Sequence, residues 1–152
     1  MQQAVAARTP AHVWIVGILS LLWGCFGAYD YTMTRMRSTE YIKSSMPGVD
    51  PNAALAWIDS MPMYAQVGWG LGVWFGLLGS ILLLMRSRWA VWSFGISLLG
   101  AVVSLGYQLT LAPPMPGAGD SAMMKVMPLV IIAICVALFL YARAQAAKGV
   151  LR

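Results

Sequence analysis

Residues 21–35 read LLWGCFGAYDYTMTR, and the two readings open to that stretch give two different proteins. Leu22-Trp23-Gly24-Cys25 has the outline of a bacterial lipobox, where a signal peptide is cut off before a cysteine that is then lipidated. The alternative is the end of a first membrane span, with Asp30 near its boundary. The apolar run begins near Ala11 and continues past Cys25 through Phe26-Gly27-Ala28-Tyr29, longer than the roughly 7–15 residues of a signal h-region. Arg8 is the only basic side chain ahead of it, and Trp23 stands where a lipobox has a small residue. The stretch therefore reads as an uncleaved span.

The rest of the chain agrees with that reading. Of 152 residues, 60% are hydrophobic and only 10% charged, against about 25% charged in a typical soluble domain. So few charges cannot cover a water-soluble domain of this size, but a bilayer asks for few. The length predicts one domain. Cys25 and Cys135 both sit in apolar runs, which is neither a disulfide framework nor a zinc spacing. His12 is the only histidine, which excludes most histidine-based catalysis. There is no Gly-rich phosphate loop, no Ser/His/Asp set and no catalytic carboxylate pair, so the sequence predicts neither an enzyme nor a cofactor. The basic residues are dispersed at the ends of apolar runs rather than gathered for nucleic acid.

Four apolar stretches, about 12–33, 64–85, 89–110 and 123–143, meet the length of about 20 residues that a bilayer crossing needs. Continuous apolar runs without period-2 alternation select helices over a barrel. The predicted fold is thus an all-α, four-transmembrane-helix bundle. Orientation follows from the placement of Lys and Arg. One side carries Arg8, Arg86, Arg88, Arg143, Lys148 and Arg152 and no acid. The other carries Arg35, Arg37, Lys43 and Lys125 with all five acids, Asp30, Glu40, Asp50, Asp59 and Asp120. Both termini are therefore expected in the cytoplasm of a bacterial inner membrane. Trp14, Trp89, Trp92 and Tyr141 fall at the inner interface and Tyr29, Tyr31, Tyr64 and Tyr107 at the outer one, as aromatic belts do. Arg143, Lys148 and Arg152 are placed to meet anionic headgroups, a weak and general attraction.

The outer loop 34–63 is too long for a turn and predicts a small helical cap. Asp50 followed by Pro51 reads as an N-cap and first helical residue, and a second short helix is expected over 38–46, stopped by Pro47-Gly48. The Pro/Gly-rich stretch 112–119 predicts an irregular connection, after which Asp120 or Ser121 caps the last helix. Pro128 lies one turn into that helix and predicts a kink.

Lipid gives helices no hydrophobic reason to associate, so small residues that allow close backbone approach carry the packing. Gly68, Gly72, Gly76 and Ser80 form a four-residue repeat on the second span. Ser97 and Gly100 belong to a similar stripe on the third span, and Gly24 and Gly27 to one on the first. Such stripes pack a chain's own helices or make a homo-oligomer seam. Asp30 is the candidate for chemistry, because an ionisable group in a span is costly and functional by default. Gln66, Gln108 and Lys125 fall at a similar depth, with Tyr31 and Thr34 nearby. A polar cluster is expected there, either as a solute or proton site or as a structural ion pair. Outer-side methionines, among them Met33, Met36, Met61 and Met63, carry a secondary expectation of Cu(I) binding through soft thioethers. Against it stands the ordinary use of methionine as an apolar filler.

Phe26-Gly27-Ala28-Tyr29-Asp30-Tyr31-Thr32-Met33-Thr34, with Trp69-Gly70-Leu71-Gly72-Val73-Trp74-Phe75-Gly76-Leu77-Leu78-Gly79-Ser80 and Arg88-Trp89-Ala90-Val91, resembles a family of small four-helix inner-membrane proteins of proteobacteria. Its members are often labelled sugar transporter or left without a functional label. The resemblance runs from the first to the third span and weakens beyond. Where relatives often have an intramembrane Asn, this chain has Gly24. The resemblance implies transport and adds weight to Asp30, Tyr31 and Thr34. The residues themselves favour an accessory or interaction subunit that packs against a larger membrane complex or itself, with small-solute or ion transport as the alternative.

Overall fold

In the computed structural model, which describes residues 8–119 and 121–152, the chain forms six helices. They are α1 (Ala11–Arg35), α2 (Thr39–Ser45), α3 (Pro51–Asp59), α4 (Met63–Leu84), α5 (Trp89–Thr110) and α6 (Ala122–Ala147). No strand occurs among the described residues. Four of the helices, α1, α4, α5 and α6, are long and apolar enough to cross a membrane. They occupy the four apolar stretches of the sequence, and α6 runs on to Ala147, beyond the apolar run's end near 143. α1 packs on α4, α4 on α5 and α5 on α6, the α4–α5 contact being the most extensive. The four-residue link 85–88 forces α4 and α5 antiparallel, and the two short cap helices return the chain from α1 to α4.

Helix ends explain the turns. α1 stops at Met36; Arg37 then adopts a left-handed conformation (φ 59°). Its N–H bonds the Thr34 carbonyl at 3.0 Å and that of Ser38 bonds Met33 at 3.2 Å, which is a Schellman closure. α4 ends the same way, with Arg86 at φ 57° and N–H bonds from Arg86 to Leu83 and from Ser87 to Leu82. α6 ends likewise around Gly149. Ser38 caps α2 by accepting the Tyr41 N–H at 3.3 Å, and Asp50 caps α3 by accepting the Ala53 N–H at 3.2 Å. At α6 the expectation needs correction: Ser121 holds the N-cap position, but its side chain makes no capping bond. The other candidate cap, Asp120, lies outside the described residues. α6 is a single helix through Pro128, which is buried.

Two apolar cores result. Leu83, Ala90, Phe94, Ala142 and Leu151 close the end of the bundle that carries both termini. Ile42, Ala54, Leu55 and Met115 form the core of the cap. The cap thus includes the 112–119 connection, which also accepts a 2.7 Å bond from the Trp57 indole at the Pro113 carbonyl.

The glycine repeat is spent inside the chain. A Cβ on Gly100 would lie 2.5 Å from the Gly68 carbonyl oxygen and 2.8 Å from the Gly72 nitrogen, and a Cβ on Gly68 would lie 2.8 Å from the Gly100 carbonyl oxygen. α4 and α5 therefore meet main chain to main chain, which only glycine permits. Serines fasten the seam across the helices: Ser97 Oγ donates to the Gly72 carbonyl at 2.6 Å and Ser93 Oγ to Phe75 at 2.7 Å. Gly76 leaves space for the Ser97 hydroxyl, and Ser80 is buried, bonding back to Gly76. Gly24 lets α1 close on the backbone of Leu77. Gly27 does not belong with them, because a Cβ there meets nothing within 4 Å. One turn beyond Gly24, α1 has left the close contact.

Candidate functional site

Asp30 lies on the last turns of α1 and is half-buried. Its partner comes from the cap. The Tyr41 hydroxyl donates to Asp30 Oδ1 at 2.6 Å, and the Tyr41 ring stands edge-on to Tyr29 at 5.5 Å. The Schellman turn at Arg37 makes this possible by folding α2 back along α1. Partial burial first, and the carboxylate bond second, raise the Tyr41 phenol above its ordinary pKa. The phenol of the pair therefore keeps its proton.

Asp30 and Gln66 bond to different partners. Gln66 pairs with Arg35, whose guanidinium donates to Oε1 at 3.1 Å, and its own amide donates to the Met61 carbonyl at 2.9 Å. Gln108 lies half-buried on α5, and Lys125 lies exposed on the first turn of α6. Gln108's helix packs on α4 and α6, and Lys125's helix packs on α5. Thr34 is buried at the end of α1. Tyr31 departs from the interfacial-belt role: it turns inward, 4.7 Å from Trp69 and 6.1 Å from Trp74 by ring centroids, with the Arg35 guanidinium 5.8 Å above its ring. Gly70 makes room for it, since a Cβ there would stand 3.1 Å from the Tyr31 oxygen.

Tyr31, Arg35, Gln66, Gly70 and Trp74 line a cleft of about 350 Å³ between α1 and α4. It combines aromatic faces with a guanidinium and an amide at one end. Such a surface can stack on a ring and hydrogen-bond hydroxyl or carboxylate groups. Three of its contributors, Arg35, Gly70 and Trp74, were not singled out as site residues in the sequence, nor was Tyr41. The signal for Gly70 was its place outside the four-residue glycine repeat. Arg35 was legible only as a charge at a helix end.

Among the methionines, Met115 is buried in the cap core with Met46 packed beside it, and Met61 is buried at the α3–α4 junction. These take the filler role. Among the described residues, no group of three or more His, Cys, Asp or Glu is placed to hold a metal. The comparisons with family models, curated proteins and solved structures find no match to this chain.

Proposed function

We propose that this chain is a non-enzymatic, multi-pass protein of the bacterial inner membrane, with both termini cytoplasmic, that serves as an accessory or interaction subunit packing against a larger membrane complex or itself. The observation that carries this is the α4–α5 seam. Main-chain contact at Gly68, Gly72 and Gly100 leaves no room for a solute between the two central helices. The outer helices, by contrast, present broad apolar faces. Ile15, Ile18, Leu19, Leu22 and Phe26 on α1 are exposed, as are Val126, Leu129 and Leu140 on α6. Such faces suit lipid or a partner helix. The native mass of the protein extracted in mild detergent, with its co-purifying chains identified, tests the proposal. A discrete assembly with other chains, or a defined homo-oligomer, is expected; a lone monomer overturns it.

Transport of a small solute or ion is the second reading, favoured by the α1–α4 cleft and by Asp30 beneath Tyr41. The likeness to a family labelled sugar transporter points the same way. On this reading the cleft binds the solute and the Asp30–Tyr41 pair gates it. Solute flux in vesicles, abolished by Asp30→Asn, is its test. Copper binding by the outer methionines forms no part of either reading.

A further inference from the structure

The end of the bundle that carries both termini holds a second cleft, of about 510 Å³, lined by Arg88, Arg143 and Arg152 together with Trp89, Trp92 and Val91. We propose that this cleft is a binding site for the phosphate headgroup of an anionic phospholipid. The inference rests on the chain spanning a membrane, and not on whether its role is accessory or transport.

The three arginines come from three separate segments, and the fold fixes the backbone of each. Arg88 is the N-cap of α5. Arg143 lies on the last turns of α6 with its guanidinium 5.9 Å from the Phe139 ring centroid. Arg152 is fixed by its backbone: its N–H donates to the Arg86 carbonyl at 2.7 Å, and the Arg88 N–H donates to the Arg152 carbonyl at 2.9 Å. Val150 and Leu151 just before it are buried, so the segment is anchored on the α4–α5 turn. Three like charges brought to one cleft repel one another unless an anion joins them. Among the described residues no side-chain carboxylate is ion-paired with Arg88, Arg143 or Arg152. The acids among the described residues, Asp30, Glu40, Asp50 and Asp59, lie near the end of α1 and in the cap. The first-turn amides of α5 are already bonded, Trp89 to Ser87 Oγ and Ala90 to the Ser87 carbonyl, so the guanidiniums must supply the donors. Arginine forks match phosphate oxygens in pairs.

Trp89 and Trp92 favour a lipid over a free anion. Both are about 70% exposed and line the same cleft. Tryptophan prefers the headgroup level, with its ring against the first carbons of the acyl chains, and basic pockets between spanning helices suit phosphate-bearing headgroups. Lys148 shares this end of the molecule but not the cleft, which separates a built site from a general surface charge.

The test is lipid retention by the delipidated full chain in detergent, read by native mass spectrometry against phosphatidylglycerol and phosphatidylcholine of matched acyl chains. Phosphatidylglycerol is expected to bind at least about tenfold more tightly, as charge-assisted bonds to two or three guanidiniums allow. Arg143→Gln or Arg152→Gln should each remove most of that preference, while Lys148→Gln keeps it. Thermal melts check each variant's fold, and the wild-type lipid preference stands as a readout needing no variant. Equal retention of the two lipids overturns the proposal, as does a loss with Lys148→Gln equal to that with Arg143→Gln. Displacement of the lipid by an equal concentration of inorganic phosphate also overturns it and makes the site one for a free anion. None of these outcomes depends on a partner chain or a transported solute, so this test and those above fail separately.

Discussion

Tyr41 and Asp30 form a hydrogen bond between a cap side chain and an acid within a span, and its removal is readable. Tyr41→Phe keeps the ring beside Tyr29 but takes the donor from a half-buried carboxylate. A bond to a charged group contributes about 1.5–3 kcal/mol; partial exposure puts the expected loss at the lower end, measured as reduced thermal stability and faster proteolysis of the cap. The pH dependence has a definite sign. The folded pKa of Tyr41 is raised, so the native state holds a proton that the unfolded chain releases near pH 10. The stabilisation is complete below that value and is lost as pH rises through and above it. Wild-type cap protection should fall over that alkaline window, and the part of the fall due to this pair should vanish in Tyr41→Phe. Ser104 supplies the opposite case. It is buried at the α4–α5 seam and its hydroxyl has no partner, a condition that costs about 1–3 kcal/mol. Ser104→Ala should leave stability unchanged or raise it, as read by thermal unfolding in detergent. Asp30 was legible in the sequence, because an acid beside an apolar run has few places to go. Tyr41 was not, because no periodicity states which way a loop helix folds back.

Among the helices, glycine position separates packing from permissiveness. Gly100→Ala puts a methyl within 2.5–2.8 Å of main-chain atoms, and no rotamer relieves a clash with backbone. The seam must open, at a cost of 1–3 kcal/mol or more typical of overpacking. Gly27→Ala meets open space and gains helix propensity of about 1 kcal/mol. Both are glycines in spanning helices, so the contrast isolates the contact; melting temperatures of the pair in one detergent check it, with Gly100→Ala falling and Gly27→Ala level or rising. The sequence made the four long helices legible, since twenty apolar residues in lipid have no other way to satisfy their backbone. It also made the α4 repeat legible as a contact face. It did not reveal that this face meets Gly100 rather than α1, or that the α1 stripe ends its close contact at Gly24. Which stripe meets which depends on helix rotation, and rotation is set by all the neighbours together. The chain reversals at Arg37 and Arg86 were equally hidden, because arginine is an uncommon choice for a left-handed residue and neither position advertises a helix end.

At the scale of the molecule the dominant feature is charge asymmetry along the bundle. Among the described residues, one end carries six basic residues and no acid, and the other carries four basic residues and four acids. The fold brings the first group to one end because α1 begins, α4 ends, α5 begins and α6 ends there. By the positive-inside rule, that end is the one expected in the cytoplasm. The expectation can be checked without a fusion that alters the chain ends. In a background where Cys25 and Cys135 are replaced by alanine, Lys43→Cys places a thiol on the exposed last turn of α2 in the cap, and Lys148→Cys places one beside the α6 terminus, also exposed. In intact spheroplasts a membrane-impermeant maleimide should label the Lys43 position and spare the Lys148 position until the membrane is opened. The reverse pattern would place the cap and the Asp30–Tyr41 pair in the cytoplasm. Labelling of both positions in intact cells would mean the chain inserts in two orientations, which six basic residues at one end argue against. The expected pattern sets the α1–α4 cleft at the outer leaflet and the three-arginine cleft at the inner one, where anionic lipid and any cytoplasmic partner meet the same surface.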